Sequence, residues 1–261
     1  MSSGGQRRVS GVNLAEKTDE LLRLHTDPEL LVVVNVWDVM TAKIVAGQPG
    51  CTAIATASYS IAAAHGYPDG EHIPLDLMLA AVGRIAAAVD LPVSADLEAG
   101  YGDAGETVRR AIGVGVVGAN IEDEMRPLAE AVAAVEAVVA AGAREGVPFV
   151  LNARTDAFLR AGDRPVDDVI ADAIERGRAF LAAGAACVFV PGLLDEPTVV
   201  RLVEGIGERR ISVLHLPGSV PQARLAELGV ARVSFGGGIQ RAVMPSLATL
   251  AADLLGGGAL G

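Results

Sequence analysis

Large rings are scarce in this 261-residue chain: aromatics make up 3% of it, against 51% hydrophobic residues in all. A core without rings must be built from Ala, Val, Leu and Ile, as in layered helix-and-sheet proteins. Lysine is scarcer still, with only Lys17 and Lys43, and the formal net charge is -11. That balance excludes the basic face that nucleic acid or an anionic membrane rewards. It nearly excludes a Schiff-base aldolase as well, because such an enzyme needs a lysine at a strand end and both lysines precede or lie within the first helix. The two cysteines, Cys51 and Cys187, stand far apart without a CxxC pair. Neither a disulfide framework nor a zinc site is indicated, and a reducing cytoplasm is the simplest home. No apolar run reaches the roughly 18 residues of a membrane span. Met1–Ser10, polar and basic with no apolar stretch behind it, is not a signal peptide and reads as a disordered tail.

Short β-branched runs alternate with longer stretches of helical periodicity, eight of each. The strand candidates are Leu31–Asn35, Thr52–Ala57, Pro92–Leu97, Gly118–Glu122, Pro148–Ala153, Ala186–Val190, Ile211–His215 and Ala231–Phe235. Helical patterns include Leu75–Ala88, Glu106–Val114, Leu128–Arg144 and Val166–Ala183. Such alternation requires a parallel sheet, and eight units over one chain of even composition predict a single-domain (β/α)8 barrel, with an open doubly wound sheet as the alternative.

A barrel carries its chemistry at the C-terminal ends of its strands. Here the third strand ends in Asp96 and Glu98, the fourth in Glu122 and Asp123, the fifth in Arg154 and the seventh in His215. Several carboxylates at one mouth repel one another unless a cation neutralises them. Oxygen ligands without His or Cys favour a hard ion, so Mg2+, with Mn2+ as substitute, is expected, holding a 2-oxo acid or related carboxylate and stabilising an enolate. Arg154 could then pair with the substrate carboxylate. The plainer alternative is that Asp96 and Glu98 cap the next helix and Arg154 bridges to them.

The runs DLEAGYG at Asp96–Gly102, IED at Ile121–Asp123, NARTDAF at Asn152–Phe158, NVWD at Asn35–Asp38 and HGYPDGE at His65–Glu71 together resemble the isocitrate lyase and phosphoenolpyruvate mutase superfamily, in order along most of the chain. The resemblance implies a Mg2+-binding (β/α)8 barrel that makes or breaks C–C or C–P bonds through enolate-like intermediates. It implies Asp96, Glu98 and Glu122 around the metal, with Glu98 replacing a second Asp. It places Asp69 beside metal and substrate, Arg154 on the substrate, and Ser58 with the backbone of Tyr59 around the substrate's carboxylate or phosphoryl oxygens. It also implies a last helix exchanged between subunits, hence a homodimer or homotetramer, and the apolar stretch Ala242–Leu255 suits that use.

One departure bears on the chemistry. Lyases of that superfamily follow the fourth-strand acid with a long loop carrying Cys-Gly-His, and the mutase has Lys and Asn there. This chain runs IEDEMRPLAEAV, with no Cys, Lys, His or Asn. Both cysteines begin strands on the opposite barrel face and read as small buried apolar residues. Isocitrate cleavage and C–P mutase chemistry are therefore disfavoured. The expectation is a lyase or related hydrolase of a small 2-oxo or 2-hydroxy carboxylate, with Tyr59, Tyr101, His215 or water supplying the proton. A metal-carboxylate binding protein without turnover is the rival class. His65 and His72 read as surface residues, Trp37 as packing, and Gly236–Gly238 as a tight turn or phosphate loop.

Overall fold

The computed structural model describes residues 14–260; the stretch 1–10 expected to be a disordered tail lies outside them. Nine strand segments form one parallel sheet: β1 (Leu31–Val33), β2 (Asn35–Val36), β3 (Ile54–Thr56), β4 (Val93–Asp96), β5 (Gly118–Glu122), β6 (Val150–Arg154), β7 (Cys187–Val190), β8 (Ile211–Leu214) and β9 (Arg232–Ser234). Their order is β1-β9-β8-β7-β6-β5-β4-β3-β2. β1 pairs with β9 while β2 pairs with β3. The run expected as one first strand is thus broken in two, each half serving one side of the seam, and the sheet closes as a (β/α)8 barrel.

The helices are α1 (Leu14–Thr26), α2 (Val39–Ala46), α3 (Ser58–Ala64), α4 (Leu75–Ala88), α5 (Ala104–Gly113), α6 (Leu128–Arg144), α7 (Val166–Ala182), α8 (Glu196–Ile206), α9 (Gln222–Glu227) and α10 (Gly238–Leu255). Their starts are written in the sequence. Asp38, Asp103 and Asp195 each accept a hydrogen bond from the backbone N–H three residues on, and Pro74, Pro127, Pro165 and Pro221 hold extended backbone just before α4, α6, α7 and α9. Eight helices alternate with eight strands as the periodicity requires; α1 and α3 are additions to that pattern.

α1 packs Leu21 and Leu24 among Leu31, Val33, Ala53, Val117 and Val150, next to the strand beginnings. A Cβ at position 118 would come within 2.7 Å of the Leu21 side chain and of the Val150 carbonyl, so only glycine lets α1 seat there. Burying a leucine of this kind stabilises by about 1.5–3 kcal/mol. The opposite ends of the strands are left for the polar residues. Inside the barrel Arg232 reaches from β9 to Ser94 Oγ on β4, 3.1 Å away, and Asn152 joins Asn120 to Ser212.

Candidate active site

The polar strand ends meet at one mouth. Asp96 closes β4, and its Oδ2 accepts two hydrogen bonds from Ser58, one from the backbone N–H at 3.1 Å and one from the hydroxyl at 2.9 Å. Ser58 is the first residue of α3, so the helix start is what aims both donors. Two residues past Asp96 the chain turns sharply, and Glu98 and Tyr101 both take positive φ, 53° each. Glu98 Oε2 accepts the backbone N–H of Glu71, itself at φ 61°, and Tyr101 Oη donates to Glu98 Oε1 at 3.3 Å. The Glu71 carboxylate in turn accepts the Tyr101 backbone N–H at 2.6 Å. Left-handed backbone at non-glycine residues costs of order 1–3 kcal/mol each, and its concentration in the two loops that face each other here marks a constrained site.

Arg154, the last residue of β6, is bracketed. Its Nη1 lies 2.5 Å from Glu122 Oε2 at the end of β5, and its Nε donates to Asp156 Oδ1 at 2.7 Å. The β5–β6 register sets Glu122 directly beside Arg154. Asp156 is buried and was not among the residues expected to matter, although it stands two places after Arg154 in the same NARTD run. Between Glu122 and Leu128 the chain makes a fixed turn. Asp123 Oδ1 accepts the N–H groups of Met125 and Asp156, and its Oδ2 pairs with the buried Arg176 at 3.1 Å. Arg176 Nη1 also donates to the Arg126 carbonyl, and Arg126 returns to the Glu122 carbonyl. The short turn is tied down at both ends.

The carboxylates feel one another. Burial, with Asp96 and Asp69, pushes Glu98 up to about 7 against the pull of the Glu71 N–H. Burial, together with Asp156, Asp96 and Glu98, pushes Glu122 up to about 8 against the opposing charge of Arg154. Burial and Asp96 also raise Asp69, in the PDG turn. Burial and Glu98 raise the Tyr101 phenol, so it stays protonated at neutral pH. Among the described residues no three His, Cys, Asp or Glu side chains converge closely enough to wrap one ion. The donor set is nonetheless all oxygen and short of positive charge, and among the described residues Asp96 Oδ1 has no donor. That combination fits a hard cation taking one or two carboxylates directly and completing its shell with water.

Other expected residues fall outside this network. His215 follows β8; its ring meets Phe235 edge-on at 5.8 Å and its buried Nε2 has no partner among the described residues. Tyr59 is partly exposed, with its ring against Gly237 and under Arg241. α5 is capped by Asp103, so the capping alternative for Asp96 and Glu98 does not hold. The glycine run forms a turn in which Phe235 and Gly236 donate to Asn35 Oδ1. Cys187 is buried, with burial raising its thiol to about 12, whereas Cys51 is only half-buried, a correction to its reading as a buried residue. Both lie at strand beginnings, away from the mouth.

Residues 21–255 match the family model described as phosphoenolpyruvate phosphomutase. The chain is 30% identical to 2,3-dimethylmalate lyase of Eubacterium barkeri over 83% of its length and 76% of that protein's. It is 29% identical to oxaloacetate decarboxylase of Pseudomonas savastanoi pv. phaseolicola (strain 1448A / Race 6), over 75% of this chain and 70% of the other. A provisionally assigned phosphonomutase of Burkholderia cenocepacia J2315 superposes with a TM-score of 0.85 at 38% identity, covering 91% of this chain and 99% of its own. Fold, strand-end acids and sequence likeness agree: this chain belongs to the phosphoenolpyruvate phosphomutase family of the isocitrate lyase and phosphoenolpyruvate mutase superfamily, whose members are lyases and mutases of small carboxylates.

Proposed function

We propose that this chain is a Mg2+-dependent lyase or related hydrolase of a small 2-oxo or 2-hydroxy carboxylate. The observation that carries the reading is the mutual charge strain of Asp69, Asp96, Glu98 and Glu122 around a single bracketed arginine, in a chain whose relatives include a dimethylmalate lyase and an oxaloacetate decarboxylase. Asp96, with Glu98 and Glu122 directly or through water, would hold Mg2+, or Mn2+ in its place. When bound, the ion supplies positive charge that neutralises these acids and stabilises an enolate as it forms.

The chain's own residues do the rest. Arg154, held by Glu122 and Asp156 through Nη1 and Nε, would meet the substrate carboxylate with its guanidinium. The backbone of Tyr59 would cradle the carboxylate oxygens, beside Ser58, whose two donors are spent on Asp96. Tyr101, held protonated beside Glu98, donates rather than removes a proton, and Asp69 stands in the turn beside the acids. His215, whose buried Nε2 has no partner among the described residues, would be the imidazole that gives or takes a proton. No thiol reaches the mouth among the described residues, which disfavours the cysteine-acid chemistry of isocitrate cleavage. The same reading takes the whole chain as one barrel domain in the cytoplasm. It also seats the exposed apolar side chains of α10 on a second copy, in a homodimer or homotetramer.

The test is a turnover screen over 2-oxo acids, 2-hydroxy diacids and phosphonates, with Mg2+ and with chelator. Turnover of a carboxylic acid that stops on chelation is expected. Metal-dependent binding without turnover of any compound would make the chain a binding protein instead.

A further inference from the structure

Beneath the mouth, the barrel interior holds a cation, Arg232, that has no ion pair among the described residues. Arg232 opens β9, level with Leu31 on β1 and Ser212 on β8, and is 1% exposed. Its neighbour Val233 belongs to the apolar cluster that includes Val199 and Leu202 of α8, so the alternation of side chains turns Arg232 into the barrel. There its Nη1 donates to Ser94 Oγ on β4, 3.1 Å away. Ser94 and Asp96 share one face of β4, which sets the guanidinium a layer below the carboxylate that closes the strand. The Asp96 charge acts on Arg232 accordingly.

The layer around Arg232 offers it no counter-charge. Its Nε and Nη2 have no hydrogen-bond partner among the described residues. The interior residues Asn120, Asn152 and Ser212 are neutral. Burial raises the Cys187 thiol to about 12, and burial followed by Arg232 lowers His25 to about 3, so both are uncharged at neutral pH. Burial lowers Arg232 itself only to about 10, and it keeps its proton. An unpaired buried charge works against the fold. What faces it is the set of acids above: Asp69, Asp96, Glu98 and Glu122 crowd the mouth, and a cation below them offsets part of their repulsion through an interior that screens poorly.

We infer that Arg232 is a resident counter-charge of the acidic mouth, a positioning residue that acts through Asp96: it partly neutralises the carboxylates when no ion is bound, and its field weakens their hold on a divalent cation. The inference rests on the metal reading above. It gives the site a limited affinity for its ion, set from inside the barrel by a residue that touches neither metal nor substrate.

Calorimetric titration of Mg2+ into the chelator-treated chain, with no substrate present, tests this. Arg232→Met removes the charge and the hydrogen bond to Ser94, and Arg232→Gln removes the charge while leaving an amide donor. Each should bind Mg2+ at least about tenfold more tightly than the native chain, because a unit charge no longer opposes a divalent ion across a poorly screening interior. The rise in unfolding midpoint on adding Mg2+ should grow in step. Ser94→Ala breaks the hydrogen bond and keeps the charge, so it should stay within about threefold of native. A merely structural role for Arg232 would instead weaken binding in all three variants. Both Arg232 variants remove a desolvation cost and are expected to fold, which circular dichroism with chelator present checks. Native or weaker affinity in both Arg232 variants overturns the inference and leaves the metal reading intact, as does a Ser94→Ala variant that tightens as much as they do. No Mg2+ uptake by the native chain or by either Arg232 variant overturns the metal reading and this inference with it.

Discussion

Ser58 gives both its backbone N–H and its hydroxyl to one oxygen of Asp96, leaving the other oxygen free of donors among the described residues. This arrangement fixes the carboxylate's direction before anything binds. Asp96→Ala should abolish Mg2+-dependent ligand binding with the fold intact, since it removes a charge from a crowded set of acids. Ser58→Ala keeps the N–H bond, so it should weaken binding by about tenfold only, the worth of one net hydrogen bond. Unchanged Mg2+-dependent heats for Asp96→Ala would falsify the metal assignment.

Arg154 is held between two acids, and the structure depends on it. Arg154→Met leaves the buried Asp156 with only Arg160, 3.7 Å away, as counter-charge, and breaking a buried pair from one side costs up to about 3–5 kcal/mol. Chemical denaturation should register that loss. Adding Asp156→Asn to Arg154→Met should restore part of it, because the stranded charge is then gone; a double variant no more stable than the single one would speak against the bracket.

His25 makes acid destabilising. Burial first, and then the nearby Arg232, lowers its pKa from 6.5 to about 3, with Nδ1 bonded to the Leu21 carbonyl and Nε2 unpartnered. The native state refuses a proton that the unfolded chain accepts below about pH 6.5. Its contribution is therefore full above that pH and is lost as pH falls towards about 3, at up to about 1.4 kcal/mol per unit. Urea titrations between pH 7.5 and 4 on the native chain and on His25→Phe should diverge in the acid range, and parallel curves would refute the role.

α10 exposes Val243, Met244, Leu247, Leu250 and Leu254. Packed on a second copy, these side chains should make the chain a dimer or a dimer of dimers in sedimentation at micromolar concentration. Leu247→Glu with Leu250→Glu should shift it to monomer without unfolding the barrel. A native chain that sediments only as monomer rules the exchange out.

Much of the barrel is legible in the sequence because its rules are local. Leu75–Ala88 and Leu128–Arg144 carry apolar residues at helical spacing behind a proline, and Gly118–Glu122 is a buried run between a turn and an acid; all three occur with those bounds. The split of the first strand is not legible, since only the closing of the sheet asks two halves to pair on different sides. Nor is α3, whose start at Ser58 turns an expected loop into a helical donor pair. Asp123 reads as a companion of Glu122, yet it points to Arg176, 53 residues away, and builds the turn instead.

The tied turn between Glu122 and Leu128 has a consequence for how fast the molecule can work. A loop that must swing open and shut drags solvent with it, so turnover limited by such a cover slows as the medium thickens. Here Asp123, Arg126 and Arg176 hold that segment in place, so it is not expected to act as such a cover. Turnover by this chain should therefore be indifferent to added sucrose or glycerol.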